Sequence, residues 1–180
     1  MERQFFMTTE RLGFSRWEAE DLPLAELLWG EEAVSRYICA AGRFTEEEIE
    51  TRLKKELENG RTAGLQYWPV FLRKTGELAG CCGLRPYRER QPEFGIHLRE
   101  AFWRQGIAQE AGRAVIGFAF GPHHAESLFA GHNPKNEASR KLLGRLGFCY
   151  VRDEFYAPTG LFHPSYILTK EAAGKILRSV

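Results

Sequence analysis

The order of strand-like and helix-like segments in the second half of the chain constrains the fold more than any other feature. A strand pattern over Glu93–Leu98 precedes a helix pattern over Gln105–Phe120, and a short apolar strand over Ser127–Gly131 precedes a second helix over Asn136–Leu146. A helix inserted between two strands usually crosses over the sheet and joins strands that run parallel. The sequence therefore predicts an α/β (α+β) fold, with one mixed sheet covered by helices on both faces.

The rest of the chain adds strands and helices around this arrangement. Alternating or apolar runs indicate the strands, while capping residues and glycines mark the ends of the helices. The further predicted strands cover Arg11–Trp17, Leu65–Leu72, Leu78–Leu84, Cys149–Tyr156 and Ser165–Thr169, the helices run from Asp21 to Gly30 and from Thr45 to Asn59–Gly60, and polar connections cover Arg85–Pro92 and Ala157–Pro164.

Length and charge limit the class of protein. A chain of 180 residues fits one domain over 1–180, and such a domain buries about 70% of its unfolded surface. Lys and Arg number 25 and Asp and Glu 24, which gives a net charge of +1. Nucleic-acid-binding proteins usually carry a basic excess, so we expect no nucleic-acid partner and no membrane surface. No apolar run reaches the length of a signal peptide or a membrane span, which predicts a cytoplasmic protein.

The spacing of the cysteines and histidines indicates neither a metal site nor a disulfide framework. Adjacent histidines rarely chelate one metal well, and the cysteine spacing fits no zinc motif. We therefore expect free thiols and no metal. The residues concerned are Cys39, Cys81, Cys82, Cys149, His123 and His124.

The turn before the long helix has the composition of an anion site. Gly106 and Ala108 are the smallest side chains there, and they stand one residue apart at the predicted helix start. A helix N-terminus presents unpaired N–H groups and a partial positive charge, and small residues let an anion approach the backbone. An ordinary tight strand-to-helix turn explains the same residues, so this motif alone does not decide between the two.

Three segments together resemble the GNAT family of acyl-CoA-dependent N-acetyltransferases, and more narrowly its RimJ/RimL branch of ribosomal-protein N-terminal acetyltransferases. Thr9-Glu-Arg-Leu12 is similar to the opening "T-E-R-L" strand of that branch. Trp103-Arg-Gln-Gly-Ile-Ala-Gln-Glu-Ala111 is similar to its "W-x-x-G-x-A-x-E-A" turn, and Asn136-Glu-Ala-Ser139 with the later Leu-Gly-Phe148 is similar to its "N-x-A-S…L-G-F" helix. The segments occur in the family's order and spacing, across roughly 8–170.

The resemblance implies a strongly twisted GNAT sheet whose fourth and fifth strands, here 93–98 and 127–131, splay apart. It implies acetyl-CoA as the co-substrate, with its pantetheine arm in the gap between those strands. Asn136 is expected to contact this ligand through its amide, or to serve only as the N-cap of its own helix. The expected backbone contacts are His97, Leu98 and Arg99 for the arm, and Gln105, Gly106, Ile107, Ala108 and Gln109 for the pyrophosphate.

The resemblance also suggests two catalytic residues. Ser139 matches the serine of "N-x-A-S" and is expected to give a proton to the leaving thiolate. Its alternative role is a hydrogen bond to a backbone carbonyl of its own helix. Glu93 is the candidate general base, and its alternative role is a surface carboxylate paired with a nearby arginine, Arg85, Arg88 or Arg90.

The implied function is the transfer of an acetyl group to a primary amine, by direct attack on the thioester. The acceptor is a protein N-terminus or a small molecule, and the sequence does not choose between them. The alternative is a non-catalytic acyl-CoA-binding or interaction module. Either a monomer or a homodimer is compatible with the sequence.

Overall fold

The computed structural model describes residues 3–178 and contains a mixed sheet with helices on both sides. The strands are β1 (Met7–Thr8), β2 (Leu12–Phe14), β3 (Tyr67–Leu72), β4 (Leu78–Arg88), β5 (Gln91–Leu98), β6 (Ser127–Gly131), β7 (Cys149–Tyr156) and β8 (Leu161–Thr169). The helices are α1 (Leu22–Trp29), α2 (Glu32–Ser35), α3 (Glu46–Ala63), α4 (Ile107–Phe120), α5 (Glu137–Arg145) and α6 (Lys170–Arg178). Across residues 3–178, no helix is both long enough and apolar enough for a membrane crossing.

The eight strands are ordered β1-β2-β3-β4-β5-β6-β8-β7, and all neighbours are antiparallel except β5 and β6. These two parallel strands are joined through the crossover helix α4. Within the described chain they are paired at one position only, Glu93 with Phe129. The splay predicted between the fourth and fifth strands is confirmed, and those strands become β5 and β6 because the short β1 precedes the predicted ones.

Alternation along β5 assigns its side chains to two different environments. Phe94 and Leu98 point into the apolar core under α4, together with Val115 and Ile116 of that helix. Side chains of odd-numbered residues point to the opposite face, which α1 and α3 cover with a second core that includes Trp29. One strand therefore contributes to the core on one side and carries polar groups on the other.

Helix α3 is longer than its sequence predicted. The predicted end at Asn59–Gly60 is wrong, since the helix continues to Ala63 and ends at Gly64, which has φ +68° and donates its N–H to the Gly60 carbonyl. Gly60 serves a packing role instead: a Cβ there would meet the side-chain amide of Gln66. That amide donates to the Glu56 carbonyl at 2.9 Å, so the glycine admits a contact and does not stop the helix.

Both predicted polar connections turn out to be largely strand. Instead of a loop over 85–92, β4 runs to Arg88 and β5 begins at Gln91. Instead of a loop over 157–164, β8 begins at Leu161. Charged residues at the ends of long hairpins resemble loops in composition, because these ends project past the core and need no apolar face. The first predicted strand shortens to Leu12–Phe14, and β1, α2 and α6 were not predicted.

Candidate active site

The splay between β5 and β6 leaves backbone groups of β5 facing a gap. The Arg99 N–H donates to the carbonyl of Ala79 in β4 at 3.0 Å. Since alternate residues of an antiparallel strand face the same neighbour, His97 also directs its backbone groups to β4, and Ile96 and Leu98 direct theirs to the gap. The Leu98 carbonyl accepts from Trp103 Nε1 at 2.8 Å. Of the predicted trio His97, Leu98 and Arg99, Leu98 is therefore the one whose N–H faces the gap.

A free helix N-terminus stands after β5. Gly106 has φ +76° and is the N-cap of α4, a conformation in which a residue with a Cβ is strained. The first helical backbone bond runs from the Glu110 N–H to the Gly106 carbonyl. The N–H groups of Ile107, Ala108 and Gln109 therefore bond no residue within 3–178 and can take an anion. The side chain of Gln105 is already engaged, because its amide donates to the Ala101 carbonyl at 2.7 Å.

Thr9 and Arg11, in the connection between β1 and β2, stabilise this turn. The sequence analysis did not predict these contacts. Glu110 accepts a hydrogen bond from the Thr9 hydroxyl, and Arg11 Nε donates to it at 2.6 Å. Arg11 Nη1 also donates to the Gln105 carbonyl at 2.9 Å. Partial burial opposes ionisation of Glu110, but the bonds from Thr9 and Arg11 hold its pKa below the usual value. The signal was present, since Thr9, Arg11 and Glu110 all belong to the recognised motifs.

The start of α5 holds the two residues singled out there. Asn136 Oδ1 accepts the Ser139 N–H at 3.1 Å, so Asn136 is the N-cap of its helix, and its side-chain NH₂ bonds no residue in the described range. The Ser139 hydroxyl is half-buried and also bonds no residue within 3–178. The alternative bond from Ser139 to a helix carbonyl is thus not observed, and the hydroxyl is available to a ligand.

A cluster of polar side chains lies on the face of β4 and β5 that α1 and α3 cover. We call it the polar chamber. Glu93 stands opposite Arg85 in the β4–β5 register, but Arg85 pairs with Glu56, and Glu93 makes no ion pair within the described residues. Its predicted alternative as a paired surface carboxylate is therefore not what the structure shows. The chamber consists of Arg52, Glu56, Tyr67, Arg85, Glu93 and His97.

Electrostatics in the chamber make Glu93 a weaker acid than usual. Burial raises the pKa of its carboxyl, while the charge of Arg85 and a hydrogen bond from the Tyr67 hydroxyl partly oppose this effect. Gly95 explains how Tyr67 comes so close: a Cβ at this position would meet the tyrosine ring and hydroxyl. Glycine at position 95 therefore places the Tyr67 hydroxyl against the β5 backbone.

Glu56 and Arg85 form a buried ion pair that the sequence gave no reason to expect. Arg85 Nε donates to Glu56 Oε1 at 2.8 Å, and the Tyr67 N–H donates to Glu56 Oε2 at 2.9 Å. Glu56 has no solvent exposure, and the Arg85 guanidinium lies 4.0 Å from the centre of the Tyr67 ring. Both oxygens of Glu56 are thus used inside the protein, and this carboxylate cannot serve as a base.

His97 is held neutral in the same chamber. Trp29 Nε1 donates to its Nδ1 at 3.2 Å, and the Tyr67 ring lies edge-on to it. Burial, with the charges of Arg52 and Arg85, lowers the pKa of His97 well below its usual value. Burial also raises the pKa of the neighbouring Cys81 to about 12, so this thiol stays protonated and is a poor nucleophile.

The open sheet, the free helix N-terminus and the titratable groups beside the gap define an acyltransferase-like class of α/β protein. Residues 11–149 match the Acetyltransferase (GNAT) domain. The chain therefore belongs to the GNAT acetyltransferase family, as the three sequence motifs predicted.

The chain is also similar to individual proteins and solved structures. YkkB of Bacillus subtilis (strain 168) is 31% identical over 97 residues, which are 52% of this chain and 56% of that protein, so the match spans little more than half of either. A GNAT-family acetyltransferase from Bacillus anthracis has a TM-score of 0.78 at 21% identity, over 93% of this chain and 99% of that one. RimL, the ribosomal alpha-N-protein acetyltransferase solved in complex with coenzyme A, has a TM-score of 0.78 at 15% identity, over 94% and 99%. The two structures share the fold.

Proposed function

We propose that this protein is an acetyl-CoA-dependent N-acetyltransferase that acts on a primary amine. One observation carries the proposal: the free N-terminus of α4 and the gap-facing Ile96 and Leu98 amides meet the end of β5, and Glu93 projects from the same strand. A phosphate-bearing ligand with an extended amide arm fits such a site, because each part meets unpaired donors. Glu93 then lies on the sheet face under α1 and α3, where we place the acceptor.

The residues present fit acetyl-CoA. The amides of Ile107, Ala108 and Gln109 are free donors for a pyrophosphate, and Gly106 keeps the approach clear, since a Cβ there would lie 3.4 Å from Arg11 Nη2. A helix N-terminus stabilises such a ligand through its dipole as well. The side-chain NH₂ of Asn136 is a further donor beside the gap, compatible with its capping role. The bound thioester supplies an activated acetyl group.

The reaction needs a neutral amine, support for an oxyanion and a proton for sulfur. Glu93 takes a proton from the incoming ammonium and passes it to solvent. The nitrogen attacks the thioester carbonyl carbon, the C–N bond forms, and the C–S bond then breaks. Ile96 or Leu98 directs an N–H at the developing oxyanion. The thiolate takes a proton from the Ser139 hydroxyl, which is restored by the second proton that leaves the nitrogen.

Direct transfer is favoured over an acyl-enzyme. Cys81 lies beside His97, with its Sγ 3.4 Å from His97 Nδ1, an arrangement that in other settings activates a thiol. Here the thiol is buried, its pKa is raised to about 12, and the histidine Nδ1 is already engaged by Trp29. The pair therefore lacks a base that is free to generate the thiolate.

The experiment combines binding with turnover. Acetyl-CoA should raise the Tm of the protein, with a stabilisation that grows as the logarithm of one plus its concentration over Kd, and an amine panel, including peptide N-termini, should release free CoA. Gly106→Glu should abolish both effects, because it adds a negative charge and a side chain at the N-terminus of α4, where the pyrophosphate is proposed to bind. Gly42→Glu is the matched control, since Gly42 has φ +81° and no atom within 4 Å of its Cβ position.

Two results would contradict the proposal. A full Tm shift in Gly106→Glu excludes the phosphate turn as the binding site. A Tm shift without CoA release from any amine excludes the enzyme and leaves the non-catalytic acyl-CoA-binding module. RimL, as a ribosomal-protein acetyltransferase of the same fold, is the reason to include peptides alongside small amines.

A further inference from the structure

The polar chamber contains a largely buried cation with no ion-pair partner among residues 3–178. Arg52 of α3 lies over two aromatic rings, with its guanidinium carbon 5.2 Å from the centre of the Trp29 ring and 5.1 Å from that of the Phe44 ring. Its Nε is buried and has no hydrogen-bond partner. Arg52 makes no ion pair or hydrogen bond with any other residue of 3–178. An unpaired buried charge is costly, so its presence calls for a ligand.

The nearby carboxylates do not neutralise Arg52. Glu56 lies one helical turn further along α3, but Arg85 and the Tyr67 N–H occupy its two oxygens. Glu93 contributes a negative charge to the chamber without coming into ion-pair contact with Arg52. Two guanidinium groups therefore share one committed carboxylate and one whose ionisation is suppressed. Arg85 adds to the positive potential at Arg52 instead of relieving it.

The rings of Trp29 and Phe44 limit how Arg52 can contact a ligand. The guanidinium lies over both rings, which restricts its rotation, and its N–H groups point outward in its own plane. An edge-on guanidinium matches a planar carboxylate, which can accept two parallel hydrogen bonds. Trp29 also donates to His97. The Trp29 ring and Arg52 therefore lie next to β5, the strand that carries Glu93.

We propose that Arg52 binds a carboxylate of the acceptor, so that the preferred acceptor is a primary amine carrying a carboxylate a few bonds from the nitrogen. This inference rests on the proposed acetyl transfer and narrows its substrate class. Glu93 takes the ammonium end of such a molecule and Arg52 takes its carboxylate. The ammonium then balances the charge of Glu93, and the carboxylate balances the charge of Arg52. Such a carboxylate belongs either to a free amino acid or to an acidic first residue of a peptide.

The test compares acceptors that carry a carboxylate with matched acceptors that carry a neutral amide in its place. Wild type is assayed with acetyl-CoA and matched pairs: standard amino acids against their α-carboxamides, and peptides that begin with Asp or Glu against peptides that begin with Asn or Gln. We expect kcat/KM to favour the carboxylate member of one kind of pair by roughly 10- to 100-fold. The kind of pair that shows the preference identifies the source of the carboxylate.

Arg52→Met should remove this preference, mainly by raising KM for the carboxylate member while leaving that of the matched neutral amide nearly unchanged. The matched control is Arg61→Met, which removes an exposed arginine from the same helix. Arg52→Met should also raise the Tm of the free protein by about 2–4 °C, because an uncompensated buried charge is lost. A purely structural arginine would give the opposite shift.

Equal kcat/KM for both members of every pair in wild type overturns the inference, as does an Arg52→Met variant that slows both members alike or melts at a lower temperature. If no amine is acetylated, the proposed function fails, but Arg52 is still tested by binding. A Tm increase with the amino acids or with the acidic peptides that is absent in Arg52→Met then supports a carboxylate site, and no increase with either in wild type rules it out.

Discussion

At the scale of single residues, the chamber shows how position changes the chemistry of one side-chain type. Glu56 and Glu93 lie within the same cluster, but Glu56 is locked by Arg85 and by the backbone of Tyr67. Glu93 stands opposite Arg85 and has no ion pair among the residues described, and burial raises the pKa of its carboxyl. The first is therefore a structural anchor, and the second is a weaker acid than usual, which makes its carboxylate a better proton acceptor.

Glu93→Gln should lower kcat/KM by roughly 10²- to 10⁴-fold, because glutamine cannot accept the proton of the ammonium. In wild type the rate should fall as the pH drops through the raised pKa of Glu93, since only the carboxylate form acts as a base. A pH–rate profile of both proteins checks this. Glu89→Gln, at the exposed turn between β4 and β5, is the control. An unchanged acidic limb in Glu93→Gln would remove Glu93 from the mechanism.

At the scale of elements, α3 carries two residues of the polar chamber that have different roles. Positions 52 and 56 are four residues apart and lie on one face of the helix. One of them fastens α3 to β3 and β4, while the other presents an unpaired charge. The same helix therefore covers the sheet face and carries the arginine that we propose binds the acceptor.

Glu56→Ala should destabilise the fold by about 3–5 kcal/mol, because it leaves the buried Arg85 without its partner. Glu58→Ala, which removes an exposed carboxylate paired with Arg61 on the same helix, should change stability little. Urea unfolding of the two variants measures the difference. Similar losses for both would show that the Glu56–Arg85 pair is not a tie between α3 and the sheet.

The sequence was informative where local rules decide the outcome. The strand Ser127–Gly131, the start of α3 and the turn at Gly106 follow from periodicity, capping and small residues, and the structure has them there. The true end of α3 depends on Gln66 packing at Gly60, and the orientation of the β5 amides depends on the pairing with β4. The Glu56–Arg85 pair joins residues far apart in the chain. Such contacts are set by tertiary packing, which no local pattern contains.

At the scale of the whole molecule, the neutral His97 couples stability to pH. Its folded pKa lies well below the unfolded value, so the folded form resists a proton that the unfolded chain accepts. The stabilisation is therefore complete above about pH 6.5 and is lost as the pH falls below it, with a slope approaching 1.4 kcal/mol per pH unit.

His97→Asn should flatten this slope, because asparagine does not titrate but can still accept a bond from Trp29. The free energy of unfolding in urea, measured at about pH 7.5 and about pH 5.5, gives the comparison. His124→Asn is the control, since His124 has φ +53°, a conformation that asparagine tolerates. A slope that stays the same in His97→Asn would show that folding does not lower the pKa of His97.

The single residue pair between β5 and β6 has a mechanical consequence. On one side of this seam lie β1–β5, and on the other lie β6, β8 and β7, so the continuity of the sheet along the seam depends on Glu93 and Phe129. The apolar core still bridges the seam, because Phe94 of β5 and Leu128 of β6 belong to one buried cluster under α4. The two half-sheets are therefore joined mainly by side-chain packing, and in the binding mode proposed above the pantetheine arm supplies the missing backbone rungs.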